Sequence, residues 1–262
     1  SNFLRKLGID LRRKLFKSVL DAFGGKLELI ICGGAYLDQE IIDTFEAIGI
    51  TVLNGYGITE CSPLISCNRN KYQKKGSVGV PILGSELKIK DPDENGEGEI
   101  CVKGPHVMLG YYKNPEATAA VFDEEGFFRT GDYGRLDEDG WLYITGRLKN
   151  IIVLSNGKNV YPEEIEAEIS KVFGVNECVV YAGESRSQGG KEVIVAEIFP
   201  DFDALKEKGI SDVQGYFEEE IKKINSRMVS YKAVKKVKIR DVEFPKNTSR
   251  KIIRFAIDKT ID

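Results

Sequence analysis

The chain has 262 residues, 42% hydrophobic and 30% charged, a balance that excludes a disordered, collagenous or coiled-coil protein. At about 150 residues per domain, this length accommodates two domains, each able to bury a core. Thirty-eight Lys and Arg face forty-one Asp and Glu, net −3, which removes any global electrostatic case for nucleic acid or an anionic membrane. Five scattered cysteines (Cys32, Cys61, Cys67, Cys101, Cys178), with no CxxC pair and a single histidine, fit reduced thiols in a cytosolic protein. The sequence predicts a chain that is neither secreted by an N-terminal signal nor membrane-spanning.

In chain order, Leu11, Leu15, Phe16, Val19, Leu20 and Phe23 recur at helical spacing before Gly24 and Gly25, predicting one amphipathic helix from Asp10 to Phe23. The apolar run Leu27 to Cys32, a helical stretch from Leu37 to Ala47 and the run Ile50 to Leu53 predict strand, helix and strand in parallel pairing. After Gly76 the texture changes to short alternating runs, Glu86 to Lys90, Glu99 to Lys103 and Trp141 to Ile144, separated by Asp- and Gly-rich turns. These predict an antiparallel sheet or small barrel.

From Lys149 a separate α+β domain is expected. The run Ile151 to Leu154 leads through a glycine turn to a helix opened by Pro162, with Glu163, Glu164 and Glu166 near its positive end. Ile165, Ile169 and Val172 form its apolar face, and strands follow at Glu177 to Tyr181 and Val193 to Phe199. A second helix from about Asp212 carries Val213, Phe217, Ile221, Ile224 and Met228 on one side, with Ser211 as its N-cap. Between Lys222 and Asp262 thirteen basic residues oppose four acidic ones, either a surface for an anion or a solvated basic face.

Gly55-Tyr56-Gly57-Ile58-Thr59-Glu60 follows a strand of the parallel unit, where ligands usually bind. Its glycines permit close backbone approach, its ring can stack on a base, and its carboxylate offers hard oxygens to Mg2+. The bland alternative is a glycine turn with Tyr56 in the core. Phe128-Arg129-Thr130-Gly131-Asp132 presents a carboxylate able to accept from a vicinal diol, or is simply a Thr-Gly-Asp turn.

Together with Gly33-Gly34-Ala35, Gly146-Arg147-Leu148-Lys149, Ser155-Asn156-Gly157-Lys158-Asn159, Pro162-Glu163-Glu164-Ile165-Glu166 and the segment Pro245 to Lys251, these motifs resemble, in order, those of the adenylate-forming enzymes. Within that family the segments 59–63 and 155–162 look most like long-chain fatty acyl-CoA synthetases. The resemblance implies residues 1–147 as the end of a large AMP-binding domain, a parallel βαβ unit followed by an antiparallel barrel-like subdomain. It implies residues 148–262 as the small, mobile carboxyl-terminal domain. The Ser/Thr/Gly-rich loop that cradles the ATP β and γ phosphates in this family is not recognisable here, so the chain is expected to be the carboxyl-terminal part of a longer enzyme and inactive without the missing amino-terminal half.

The same resemblance implies the chemistry. A fatty acid, medium or long in chain, would attack Mg-ATP to give acyl-AMP, and CoA would then take the acyl group. Lys251 would bridge carboxylate and α-phosphate, with Lys246, Arg250 and Arg254 as neighbouring cations strengthening its field. Tyr56 would stack on adenine, Thr59 contact the α-phosphate, Glu60 ligate Mg2+ and Asp132 hold the ribose with help from Arg147. Gly33, Gly34, Ala35, Gly55 and Gly57 would line the nucleotide, Lys149 would be the hinge, and Gly157 would line the pantetheine tunnel, or be a hairpin glycine of positive φ. Arg250 stands where the family usually has glycine, and Asn247 where it has threonine. Two alternatives accompany this reading: an enzyme that loads a carrier protein, and a non-catalytic descendant. A cytoplasmic location is implied, with peripheral association at the inner membrane face also admitted.

Overall fold

The computed structural model describes residues 10–155, 157–185, 191–248 and 250–260. The chain divides into two compact units, Ser1–Thr145 and Gly146–Asp262. Each is described by itself.

In the first unit the expected single helix is two short ones, α1 (Arg12–Leu15) and α2 (Lys17–Ala22), broken at Phe16. Of the six apolar stripe residues only Leu20 is buried. Arginines anchor the segment: Arg12 Nη1 donates to the Glu46 carbonyl, and Arg13 Nη1 and Nη2 donate to the Leu27 and Gly25 carbonyls at 2.8 and 2.9 Å. These bonds orient α1 independently of its apolar stripe.

Strand β1 (Leu29–Cys32) and β2 (Thr51–Gly57) pair in parallel, Leu29 opposite Thr51 through Cys32 opposite Asn54, as the sequence predicts. Helix α3 (Gln39–Ile48) joins them. Its N-cap Asp38 accepts from the Glu40 N–H, and Gly49, at φ +96°, ends it where an L-residue would be strained. β2 runs on through the whole Gly55-Tyr56-Gly57 motif and pairs antiparallel with β3 (Leu64–Cys67), which in turn pairs with β4 (Val80–Pro81).

A second four-stranded sheet, in order β5 (Glu86–Lys90), β6 (Gly98–Lys103), β7 (Phe128–Leu136) and β8 (Leu142–Arg147), follows; α4 (Pro115–Val121) lies in the chain between β6 and β7. It is an open sheet rather than a barrel among the described residues, because β5 and β8 stand at its two ends; four strands are too few to close around filled side chains. Tyr56, Cys61, Ile65, Ile100, Val102, Phe128 and Leu142 form the core cluster linking these sheets.

The second unit opens with a hairpin of β9 (Ile152–Val153) and β10 (Asn159–Val160). Helix α5 (Pro162–Ile169) begins with proline at N1 and Glu163 and Glu164 in the first turn, as expected. β11 (Val175–Ser185) and β12 (Lys191–Pro200) are antiparallel. After α6 (Phe202–Glu207) and α7 (Val213–Asn225), β13 (Lys236–Ile239) pairs parallel to β12. The N-cap of α7 is Asp212, accepting from the Gly215 N–H, and not Ser211. Side chains alternate across this sheet. Val180, Ala196 and Ile198 pack with Ile165, Ile169, Phe217 and Ile221 of the helices, whereas Val179, Tyr181 and Val195 pack with Phe244 and Ile257 of the C-terminal segment.

Candidate functional site

In the first unit the motifs converge at the carboxyl ends of β1 and β2. Gly33, Gly34 and Ala35 form an exposed loop directly after β1, and a Cβ on Gly33 would stand 3.1 Å from the Gly55 carbonyl. Gly34 is left-handed, φ +83°, with open space around it. Gly55 and Gly57 are strand residues, not a turn. The pairing register shifts between Tyr56 and Gly57, and a Cβ on Gly57 would collide with the Pro63 carbonyl. The room left by the missing Gly57 side chain is thus taken by the protein's own backbone.

Asp132 arrives through a bulge. Glu99 pairs with Tyr133 and Cys101 with Arg129, so β7 carries extra residues there, and Gly131 takes φ +70°. Thr130 Oγ1 donates to the Ile100 carbonyl at 2.7 Å and accepts from the Asp132 N–H at 3.1 Å. The result is that Tyr56 OH donates to Asp132 Oδ2 at 2.6 Å, joining two motifs 76 residues apart inside the core. Burial first, and the Asp132 charge second, push the Tyr56 phenol well above its ordinary range, so it stays a donor. At 9% exposure Tyr56 has little surface to offer a stacked base; Asp132 is 3% exposed.

Thr59 is exposed in a 3-10 turn (Thr59–Cys61) next to half-buried Glu60. Tyr111 OH donates to Glu60 Oε1 at 3.1 Å, and the Met108 N–H donates to the Glu60 carbonyl at 2.7 Å. Tyr111 is a neighbour that the motif reading missed, since nothing in spacing links positions 51 residues apart.

In the second unit Arg147 is exposed at the end of β8, and Lys149 is exposed inside a 3-10 turn (Leu148–Asn150). Gly157 is a hairpin glycine at φ +77° with nothing within 4 Å, and beside it Lys158 Nζ lies 4.4 Å from the centre of the Tyr231 ring. Asn156 lies outside the described residues, as does Ser249.

Lys251 projects from a narrow turn. Lys246 and Ile252 form an antiparallel bridge, the Asn247 N–H donates to the Lys251 carbonyl at 2.9 Å, and the Lys251 N–H donates to Asn247 Oδ1 at 2.9 Å. The Lys251 side chain is exposed. Two of its three neighbouring cations are already neutralised: Lys246 pairs with Glu177 and Glu243, and Arg254 Nη2 donates to Glu166 Oε2 at 2.5 Å, whereas the third, Arg250, is exposed. Much of the basic C-terminal stretch is neutralised likewise, with Lys232 on Glu164 and Arg240 and Lys238 on Glu197. Neither of the two sequence readings of that stretch anticipated this. Arg250 sits at φ +59°, the left-handed conformation that makes glycine the natural occupant of its position.

Residues 4–112 match the family described as AMP-binding enzyme, and residues 149–260 the AMP-binding enzyme C-terminal domain. A long-chain-fatty-acid–CoA ligase of Salmonella typhimurium is 39% identical over 87% of this chain and 39% of its own length. A chloroplastic long-chain-fatty-acid–[acyl-carrier-protein] ligase of Arabidopsis thaliana is 38% identical over 70% of this chain and 27% of its own. The structure of o-succinylbenzoate CoA synthetase from Bacillus subtilis with its acyl-adenylate intermediate superposes with a TM-score of 0.75 at 28% identity, covering 93% of this chain and 49% of that one. The same enzyme with ATP and magnesium gives 0.73 at 30% identity, over 87% and 46%. The chain spans about two fifths of the length of the curated long-chain ligases it matches.

Proposed function

The chain belongs to the adenylate-forming AMP-binding enzymes, and from that premise we propose that it supplies the adenosine-facing elements and the lysine-bearing C-terminal domain of an ATP-dependent fatty acyl-CoA ligase. The observation that carries this reading is the buried Tyr56–Asp132 hydrogen bond, which ties the Gly-Tyr-Gly motif at the end of β2 to the β7 bulge, with Gly55 of that motif approached by Gly33.

On this reading Asp132 accepts from the ribose hydroxyls, and Tyr56 backs it from the core, meeting adenine only with the small part of its ring left open. Gly33, Gly34 and Ala35 border the nucleotide, and Thr59 contacts the α-phosphate. Mg2+ fits Glu60: a single half-buried carboxylate steadied by Tyr111 is the protein share Mg2+ uses when phosphate oxygens and water complete its shell. When bound, the ion would neutralise phosphate charge. Lys251, free to reach outward, supplies the cation where carboxylate and phosphate meet, a preorganised contact whose loss commonly costs about 3 kcal/mol, or on the order of a hundredfold in rate. Lys149 is the pivot, and Arg147 assists at the ribose. Gly157 leaves room for the thin pantetheine arm. These 262 residues alone are expected to bind the adenylate without turning ATP over, because no phosphate loop lies among them.

The test is calorimetric binding of a non-hydrolysable acyl-adenosine sulfamate to the chain. Asp132→Ala should weaken binding at least tenfold and Tyr56→Phe severalfold; unchanged affinity in Asp132→Ala removes the reading. The similarity to a carrier-protein ligase supports a second acceptor. Thioester assays on the native protein with CoA and with acyl carrier protein separate the two.

A further inference from the structure

A chain of polar contacts in the second unit joins the hinge turn to the Lys251 turn through helix α5. Asn150 Nδ2 donates to Glu163 Oε1 at 2.6 Å. Arg254 Nη2 lies 3.9 Å from that same Glu163 oxygen and donates to Glu166 Oε2 at 2.5 Å, while its Nη1 donates to the Val180 carbonyl at 3.3 Å. Glu166 Oε1 closes the circuit by accepting from the Val180 N–H at 2.6 Å. Gly146 sits against this group, since a Cβ there would be 2.9 Å from Glu163 Oε2.

Three features indicate that this network sets geometry. Glu163 and Glu166 are three residues apart on α5, so both carboxylates leave the same face of the helix. Arg254, three residues beyond Lys251, is held on two sides by a planar guanidinium that tolerates little displacement. An ion pair this withdrawn from water, with side chains 28% and 14% exposed, gains little net stability over an apolar replacement. The other end of the segment is pinned too, by Glu177 with Lys246 and the Phe244 N–H. Between the two clamps stands Lys251, its side chain exposed.

We propose that Glu163, Glu166 and Arg254 are positioning residues that hold the 148–150 turn and the Lys251 turn as one piece, fixing the place of the lysine relative to that turn. The catalytic part of this inference rests on the Lys251 role proposed above; the mechanical part does not.

Two measurements test it. Hydrogen exchange on the 262-residue chain should show Arg254→Ala raising exchange at least tenfold within residues 247–252 and near Asn150, with the α7 and β12 amides unchanged. On the native protein, Arg254→Ala should lower kcat for adenylation tenfold or more with KM for ATP within twofold. Thioester formation from supplied acyl-adenylate should stay within threefold, and Arg254→Lys, which keeps the charge but loses the two-sided hold, should restore only part of the lost adenylation. Unchanged exchange at the Lys251 turn overturns the proposal. So does an equal fall in both half-reactions, or a loss spread over the whole unit, each the mark of a merely structural contact. Altered exchange together with a silent Lys251→Ala control upholds the mechanical link and refutes the role of the lysine.

Discussion

At Arg250 and Asn247 the sequence resemblance leads to an expectation of glycine and threonine, and the geometry bears on both positions. Asn247 keeps an acceptor oxygen on the Lys251 N–H, the service a threonine hydroxyl can also render. Arg250 pays for φ +59° in strain, of the order of 1–2 kcal/mol for an L-residue, partly offset by the entropy a glycine would lose. Arg250→Gly should therefore stabilise the second unit by about 0.5–1 kcal/mol, read as a higher urea midpoint with unchanged slope. Loss of stability on that substitution would show that the Arg250 side chain makes a contact of greater worth. Neither departure, on these grounds, argues for a protein that has abandoned catalysis.

At the scale of elements, the turn between β7 and β8 stores a pH dependence. Burial opposes ionisation of Asp137, but hydrogen bonds from Lys74 Nζ at 2.7 Å, the Trp141 N–H at 2.9 Å and Tyr143 OH at 3.1 Å prevail and hold it down to about 2. A carboxyl depressed in the folded state contributes stability that is complete above its unfolded value of 3.8 and is lost as pH falls from about 4 to about 2. Acid titration of unfolding should show that slope in the first unit, and Asp137→Asn should flatten it. Elements with long periodic faces were legible in the sequence: α7 with Phe217, Ile221 and Ile224, and α5 with its opening proline. β3, the lysine-rich β13 and the six-residue α6 were not, because pieces so short take their state from neighbours in space. The site was legible as a set of motifs. What the sequence could not show was the Gly131 bulge that turns Asp132 toward Tyr56, or the carboxylates that neutralise Lys246 and Arg254.

For the molecule as a whole, the decisive fact is that hydrophobic burial is divided. The first unit packs around Ile65, Ile100 and Leu142, and the second around Ile165, Ile198 and Phe217, with a further cluster on the other face of its sheet. Truncating one core should therefore act on one unit. Ile165→Ala, at a fully buried position, is expected to cost about 2–5 kcal/mol and to lower the calorimetric transition of the second unit while leaving the other in place. A single transition that shifts as a block would mean that the two units unfold cooperatively.

The tight fit of Gly57 against Pro63 bears on how such sequences are read. Any side chain at that position must displace backbone, so the glycine is required for folding whether or not a nucleotide ever arrives. Gly34, Gly131 and Gly157 differ: each faces open space and is constrained only by its positive φ, which asparagine or aspartate can also adopt. A lineage released from selection for activity would thus shed the open glycines and the exposed Lys251 long before it lost the Gly-Tyr-Gly signature. Presence of that signature certifies ancestry and foldability; the record of a working enzyme is written in its solvent-facing residues.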